Sequence, residues 1–167
     1  MSKLKIFCDI ADVSTIKKYS KKKIVKGFTT NPSLMRKAGA IDYLKYSKLI
    51  LNNCKKKPIS FEVFADNFFD MKKQAYKINK LGSNVYVKIP VINSKGKFMG
   101  KLIKDLSKQK IKLNITAVYK IAHVKKIIKN LDKSTKSIIS IFAGRMSDTG
   151  IDPVPIIKNS VLSAKKY

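Results

Sequence analysis

Short apolar runs alternate along the chain with longer segments in which apolar residues recur every three or four positions. The short runs are typical of buried strands in a parallel sheet, and the longer segments are typical of amphipathic helices. The helical spacing is clearest in residues 67–81, where Phe68, Met71, Ala75 and Ile78 fall on one face. The short runs predict six strands, at residues 4–8, 24–28, 59–64, 85–89, 111–115 and 137–142.

Six helical segments follow these strands, and local signals mark two of their starts. Asp12 is placed to cap the first helix, and Pro32 fits the first turn of the second, which is interrupted near Gly39. Alternating strands and helices predict parallel strands with right-handed crossovers, so we expect an α/β fold, either a (β/α)8 barrel or an open doubly wound sheet. The helices are predicted at residues 14–19, 32–54, 67–81, 100–109, 118–131 and 153–165.

Two nucleotide-binding signatures are missing from the sequence. No G-x-G-x-x-G follows the first predicted strand, and no G-x-x-x-x-G-K-[ST] occurs anywhere. Their absence argues against an open sheet that binds a nucleotide through such a loop. No low-complexity linker divides the 167 residues, so we expect a single domain over residues 1–167.

Polar or ionisable residues lie near the carboxyl end of every predicted strand. In a parallel barrel these ends open on one face, and that face holds the active site. Chance would distribute such residues over both ends of the strands. The residues are Asp9, Thr29, Thr30, Asn31, Glu62, Lys88, Asn114, Thr116, Ser140 and Arg145.

Lys88 is the most informative of these residues, because it lies in a run that is otherwise apolar or aromatic. Burial disfavours a charged ammonium, and a neutral amine attacks a carbonyl carbon to give a carbinolamine and then an imine. The alternative is a lysine whose stem packs while its ammonium group reaches water. Glu62 lies in a similar run and is either paired with a cation or kept for proton transfer.

The charge balance is strongly basic, with 37 Lys and Arg against 10 Asp and Glu and a net charge of +27. A chain this basic attracts polyanions, so a nucleic-acid binder is a second class to consider. The lysines are distributed over all the predicted helices, however, and no basic strand interleaved with aromatic residues occurs. We therefore interpret them as a solvated surface that attracts phosphorylated substrates, and we expect no specific nucleic-acid partner.

Cysteine usage and hydropathy exclude further classes. Cys8 and Cys54 show no CxxC spacing, so a disulfide framework or a zinc site is not expected, and Cys8 is expected to be a buried thiol. No apolar stretch reaches the ~20 residues that span a membrane. A soluble, cytoplasmic protein without membrane contact is the expectation.

Six strings carry a resemblance to a known family. They are CDIAD at 8–12, GFTTNPSLM at 27–35, SFEV at 60–63, VKIPV at 87–91, NITAVY at 114–119 and SIFAGRMSDTGIDP at 140–153. Together they resemble the transaldolase family, and the resemblance extends over nearly the whole chain. It implies a (β/α)8 barrel and a Schiff-base lysine on strand four, at Lys88. It also implies transfer of a dihydroxyacetone unit between sugar phosphates in the pentose phosphate pathway, without metal or other cofactor.

The resemblance also implies roles for the remaining strand-end residues. Asp9 would move protons at the substrate hydroxyls during carbon–carbon cleavage, and Asn31 would bind a hydroxyl of the intermediate. Glu62 and Thr116 would hold a catalytic water, with Glu62 as general acid/base. Further substrate contacts are implied for Thr30, Asn114, Ser140, Phe142 and Arg145, with Arg145 on the phosphate.

Two positions bear on the branch of the family. The related fructose-6-phosphate aldolases carry Gln where this chain has Glu62, and Tyr where it has Phe142. Both residues therefore favour transfer to an aldose acceptor over simple cleavage. An aldolase-like lyase remains the alternative.

About six βα units are predicted, whereas the barrel of this family has eight. We therefore expect an incomplete barrel in which strands one and six are edges with unpaired backbone groups. Such edges favour a homo-oligomer. The competing hypothesis is an inactive, truncated remnant of the enzyme.

Overall fold

A computed structural model describes residues 4–167 and places six strands in one sheet. The strand order is β1-β2-β3-β4-β5-β6, the order along the chain. A doubly wound sheet reverses its strand order at a switch point, so sequential order identifies the (β/α)8 type, here with six βα units. The strands are β1 (Ile6–Asp9), β2 (Val25–Thr29), β3 (Ile59–Glu62), β4 (Val85–Pro90), β5 (Leu113–Val118) and β6 (Ser137–Ile141).

Eight helices occur in the described part of the chain, two more than predicted. The predicted helix over residues 32–54 is two helices that separate near Gly39, and a short helix that the pattern did not reveal follows β6. The helices are α1 (Val13–Ser20), α2 (Pro32–Lys37), α3 (Tyr43–Asn53), α4 (Phe68–Asn79), α5 (Gly100–Lys108), α6 (Ile121–Asn130), α7 (Ala143–Asp148) and α8 (Val154–Lys165).

Most strand bounds agree with the predictions, and the fifth strand differs most. It was predicted at residues 111–115 but lies at Leu113–Val118. Ile111 is buried before the strand begins, so apolarity alone misplaced the start. Cys8 was expected to be buried and is only half-buried, because it lies on β1 at one end of the strand order.

The chain divides into two compact units, each with its own core. The first unit comprises the described residues up to 64 and residues 73–87. The second unit comprises residues 65–72 and 88–167.

In the first unit, β2 pairs in parallel with both β1 and β3. Gly27 of β2 is required by a close approach, because a β-carbon there would lie 2.2 Å from the Phe7 ring and 2.8 Å from the Pro58 carbonyl oxygen. Asp12 caps α1 as predicted, since its Oδ1 accepts the backbone N–H of Thr15 at 2.7 Å. The core of this unit includes Ile16, Phe28, Ile50, Ile59 and Phe61, all without solvent exposure.

In the second unit, β5 pairs in parallel with β6, and the register shifts between Ile115 and Val118. Ala117 lies within this shift at φ 57°, in the left-handed region. All five positions of β6 are half-buried, whereas five of the six positions of β5 are buried. The core of this unit includes Leu102, Ile103, Leu106, Leu113, Ile115, Val124 and Ile127.

Within residues 4–167, no helix is both long enough and apolar enough to cross a membrane.

Candidate active site

The three strands of the first unit each end in a polar residue that the sequence had indicated. Asp9, Thr29 and Glu62 are the last residues of β1, β2 and β3. Asp9 and Thr29 are register partners, and the Thr29 hydroxyl donates a hydrogen bond of 2.7 Å to Asp9 Oδ1. Because the strands are parallel, their carboxyl ends share one edge, and an exposed carboxylate is fixed there by a neighbouring hydroxyl.

The turn after β2 places the next two predicted residues. Thr30 is fully buried, and its backbone N–H donates to the Ser60 carbonyl oxygen at 3.1 Å. Asn31 is the N-cap of α2, where its Oδ1 accepts the backbone N–H of Leu34 at 2.9 Å. The cap fixes the orientation of the Asn31 amide and does not use its nitrogen, which is the group that would donate to a substrate hydroxyl.

Tyr43 is a residue of this edge that the sequence analysis did not identify. Its hydroxyl accepts the backbone N–H of Glu62 and donates to the Glu62 carbonyl oxygen, both at 2.9 Å. Burial raises the pKa of the Tyr43 phenol, so the hydroxyl stays protonated as this double role requires. Tyr43 therefore anchors the end of β3 that carries the Glu62 carboxyl group. No sequence signal could find it, since the two residues are far apart in the chain.

Lys88 is buried in the second unit, with 7% of its surface exposed. The segment that carries it continues to Val91, whose backbone N–H donates to the Thr116 carbonyl oxygen at 2.9 Å. This bond joins the end of β4 to β5. With 7% of the residue exposed, most of the Lys88 side chain is out of contact with water.

Asn114 and Ser140 meet across β5 and β6. Asn114 is 1% exposed, and its Oδ1 accepts a hydrogen bond of 2.7 Å from the Ser140 hydroxyl. The pairing fixes the rotamer of the buried amide and determines that its oxygen faces Ser140. The sequence had placed both residues in the lining of one site, and within this unit they are in contact.

Thr116 lies two residues after Asn114 on the same strand and is 1% exposed. Its hydroxyl oxygen is buried and has no hydrogen-bond partner within residues 4–167. Leaving such a group unsatisfied costs about 1–3 kcal/mol, so the position is suited to a small polar ligand or a water. The strained Ala117 follows directly, and backbone strain of this kind is concentrated at functional sites.

The remaining predicted residues follow β6. The Phe142 N–H donates to the Val118 carbonyl oxygen at 3.0 Å, and its ring packs edge-on against Tyr119, with 5.6 Å between centroids. Arg145 follows β6 in the chain and lies in α7, where it is exposed. Tyr119, which follows β5, therefore packs beside the end of β6.

The whole sequence matches one protein family. Residues 6–167 match the family described as Transaldolase/Fructose-6-phosphate aldolase. The chain belongs to this family. Membership agrees with the resemblance carried by the six strings and with the sequential sheet, and it indicates an enzyme of the aldolase and transferase type that acts on sugar phosphates.

The sequence is also similar to individual proteins that are named as transaldolases. A protein from Dehalococcoides mccartyi named "Probable transaldolase" is 33% identical over 164 residues, which cover 98% of this chain and 72% of that protein. A protein of the same name from Clostridium kluyveri is 34% identical, covering 95% of this chain and 69% of its own length. A third protein of this name, from Methanococcus maripaludis, is 36% identical, and the match covers 92% of this chain and 67% of that protein.

Proposed function

We propose that this chain is a transaldolase, which transfers a dihydroxyacetone unit from a ketose phosphate to an aldose phosphate through an imine on Lys88. The observation that carries the proposal is the burial of this amine within β4, with 7% exposure, in a chain of the transaldolase family. A buried amine is shielded from bulk water, which protects an imine from premature hydrolysis. The reaction belongs to the pentose phosphate pathway.

The covalent steps follow from the chemistry of an amine and a ketone. Lys88 Nζ attacks the ketone carbon to form a carbinolamine, and loss of water gives the iminium ion. A base removes the proton of the hydroxyl on the second carbon from the iminium carbon. The bond between that carbon and the carbon next to the iminium breaks, and an aldose phosphate leaves with its new aldehyde. The electron pair of the broken bond is taken up by the iminium as an enamine, which then attacks the aldehyde of the acceptor.

The side chains of the second unit support the binding and dehydration steps. The buried Thr116 hydroxyl is suited to hold the water that enters and leaves at the carbinolamine. The Asn114–Ser140 pair supplies oriented polar groups for the hydroxyls of the dihydroxyacetone unit. Phe142 would line the site, and the exposed Arg145 is placed to contact a phosphate from solution.

The side chains of the first unit keep the roles that the resemblance implies. Glu62 is the general acid/base of dehydration, and Asp9 takes the hydroxyl proton during cleavage. The bond from Thr29 to Asp9 supports the second assignment, because it orients the carboxylate. Asn31 and Thr30 would contact the substrate hydroxyls, with Asn31 donating through its amide nitrogen.

Borohydride trapping tests the imine directly. Incubation with fructose 6-phosphate and borohydride should leave one reduced mass adduct, and peptide mapping should locate it on Lys88. Lys88→Arg should abolish the adduct, whereas Lys48→Arg, an exposed position on α3, should retain it. Circular dichroism checks that both variants fold. Folded protein that gives no adduct at high substrate concentration would favour an inactive remnant instead.

A second measurement separates transfer from simple cleavage. With erythrose 4-phosphate present, a transaldolase forms sedoheptulose 7-phosphate as it releases glyceraldehyde 3-phosphate. Release of glyceraldehyde 3-phosphate with free dihydroxyacetone and no acceptor would identify the aldolase alternative. We expect release to depend on the acceptor, because Glu62 and Phe142 are the residues that the resemblance associates with transfer.

A further inference from the structure

A cavity lies in the second unit, among residues that follow β3 and β4 in the chain. Its volume is about 410 Å³, within the ~300–1,000 Å³ range of small-molecule sites. Two segments, 67–69 and 93–102, form its walls, and we call it the aromatic–lysine cleft. Its lining residues are Asn67, Phe68, Phe69, Asn93, Lys95, Lys97, Phe98, Met99, Lys101 and Leu102.

The two walls of the aromatic–lysine cleft are hydrogen-bonded to each other. Asp66 accepts the backbone N–H of Ser94 at 2.8 Å and the Ser94 hydroxyl at 2.6 Å. The Asn93 amide donates to the Asp66 carbonyl oxygen at 3.1 Å. An antiparallel bridge between Ile92 and Phe98 closes the second wall into a turn. The cleft is therefore preformed, which lowers the cost of ordering a ligand there.

Aromatic rings form one side of the cleft. Phe69 is 80% exposed, whereas most phenylalanine side chains are buried. It meets Phe68 edge-on, with 5.4 Å between centroids. The Phe68 ring is held in turn by the ammonium groups of Lys72 and Lys101, at 5.6 and 5.4 Å from its centroid. Phe69 is thus an oriented aromatic surface whose exposed ring can receive a second ring.

Positive charge also lines the cleft. Lys95, Lys97 and Lys101 line the cleft, and no acidic residue belongs to its lining. Three acids in the neighbourhood are already engaged: Asp66 with Ser94, Asp70 with the Asn67 amide at 2.7 Å, and Asp105 with Lys72 at 3.0 Å. The local field therefore favours an anion, and the net charge of +27 adds to it at longer range.

We propose that the aromatic–lysine cleft binds a nucleotide unit, with its base stacked on Phe69 and its phosphate among Lys95, Lys97 and Lys101. Stacking on an aromatic ring beside a basic groove is the general way in which proteins hold unpaired nucleotides. The sequence analysis expected no specific nucleic-acid partner because no aromatic residues interleave with a basic strand. The structure supplies that combination from two separate segments of the chain.

Fluorescence anisotropy at 150 mM salt tests the proposal with a labelled oligo-dT hexamer, and ADP is the competitor. Phe69→Leu should weaken binding about ten-fold through lost stacking. The double variant Lys95→Gln/Lys97→Gln should weaken binding and lower its salt dependence. The matched control, Lys17→Gln/Lys18→Gln on α1, removes the same charge elsewhere and should leave the affinity nearly unchanged. Because Phe69 is exposed, its substitution should not disturb folding.

The outcomes separate the sources of the nucleotide. Competition by ADP would identify a free nucleotide, and binding of the hexamer alone would identify a single strand; either supports the cleft. Three results would overturn it. These are the absence of binding, equal weakening in the control on α1, and competition by pyrophosphate as strong as that by ADP with no effect of Phe69→Leu.

Discussion

Ala117 shows how a single residue can carry strain beside a candidate catalytic group. Its φ of 57° lies in the left-handed region, which costs a residue with a β-carbon about 1–2 kcal/mol. The surrounding backbone fixes it there, because the Thr116 carbonyl oxygen accepts Val91 N–H and the Val118 carbonyl oxygen accepts Phe142 N–H. The strain therefore turns the strand just after the buried Thr116 hydroxyl.

The strain at Ala117 predicts opposite effects for two substitutions. Ala117→Gly should raise the free energy of unfolding by up to ~1 kcal/mol, since glycine adopts φ above zero without penalty. Ala117→Val should lower it by about 1–2 kcal/mol and reduce kcat, because a β-branched residue resists this conformation and moves Thr116. Urea denaturation and the transfer assay measure the two effects.

A helical alanine provides the control for this residue. Ala122 is exposed in α6, where glycine is disfavoured, so Ala122→Gly should destabilise by up to ~1 kcal/mol. The two glycine substitutions should thus differ in sign. If Ala117→Gly lowers the free energy of unfolding as Ala122→Gly does, the left-handed conformation of Ala117 does not destabilise the protein.

At the scale of the element, the Asp12 cap of α1 makes the stability of the fold depend on pH. Hydrogen bonds from the Thr15 hydroxyl, followed by those from the Ser14 hydroxyl and the Thr15 amide, lower the pKa of Asp12 to about 2. A carboxyl whose pKa is lower in the folded state stabilises that state above its unfolded pKa of ~3.9. This stabilisation is lost as the pH falls through the folded pKa.

Asp12→Ala should therefore lower the free energy of unfolding at pH 6, and the difference from the wild type should shrink between pH 4 and pH 2. Asp12→Asn keeps a capping oxygen without the charge, so its stability relative to Asp12→Ala should change little with pH. Urea unfolding at a series of pH values measures both. If the free energy of unfolding of Asp12→Ala stays below that of the wild type by the same amount down to pH 2, the carboxylate does not have this role.

The elements also show what the sequence could and could not reveal. Alternating apolar runs were sufficient to predict all six strands, and Lys88 and Glu62 were found because each interrupts such a run. The short α7 has no comparable signal, so the helix that carries Arg145 was not predicted. The contact of Tyr43 with Glu62, and that of the Phe68 ring with Lys101, depend on tertiary packing. No local pattern records these contacts.

Strand β6 bears on the prediction that the sixth strand is an edge of the sheet. Three of its five residues are isoleucine and the other two are serine, as in a strand covered on both faces, yet each is half-buried. In the described residues β6 is the last strand of the order and pairs with β5 alone. This supports the expected incomplete barrel, and association of copies through such an edge stays a prediction.

At the scale of the whole molecule, charge is the dominant feature. The net charge is +27, because 37 Lys and Arg face 10 Asp and Glu. Even if every acid were paired, as Asp132 is with Lys110 at 3.1 Å, 27 cations would stay uncompensated. Self-repulsion of this size opposes the compact state. The same field attracts anionic sugar phosphates, so a property that favours substrate encounter also lowers stability.

Salt should therefore stabilise the protein. The screening length falls from ~30 Å at 0.01 M salt to ~8 Å at 0.15 M, so repulsion between distant lysines is largely removed over this range. We expect Tm to rise between 10 and 300 mM NaCl, measured by circular dichroism. Replacing the three lysines at 21–23 with Gln lowers the net charge from +27 to +24 and should make the rise smaller. A Tm that is flat or falls with NaCl would show that the lysines are too well solvated for their repulsion to limit the fold.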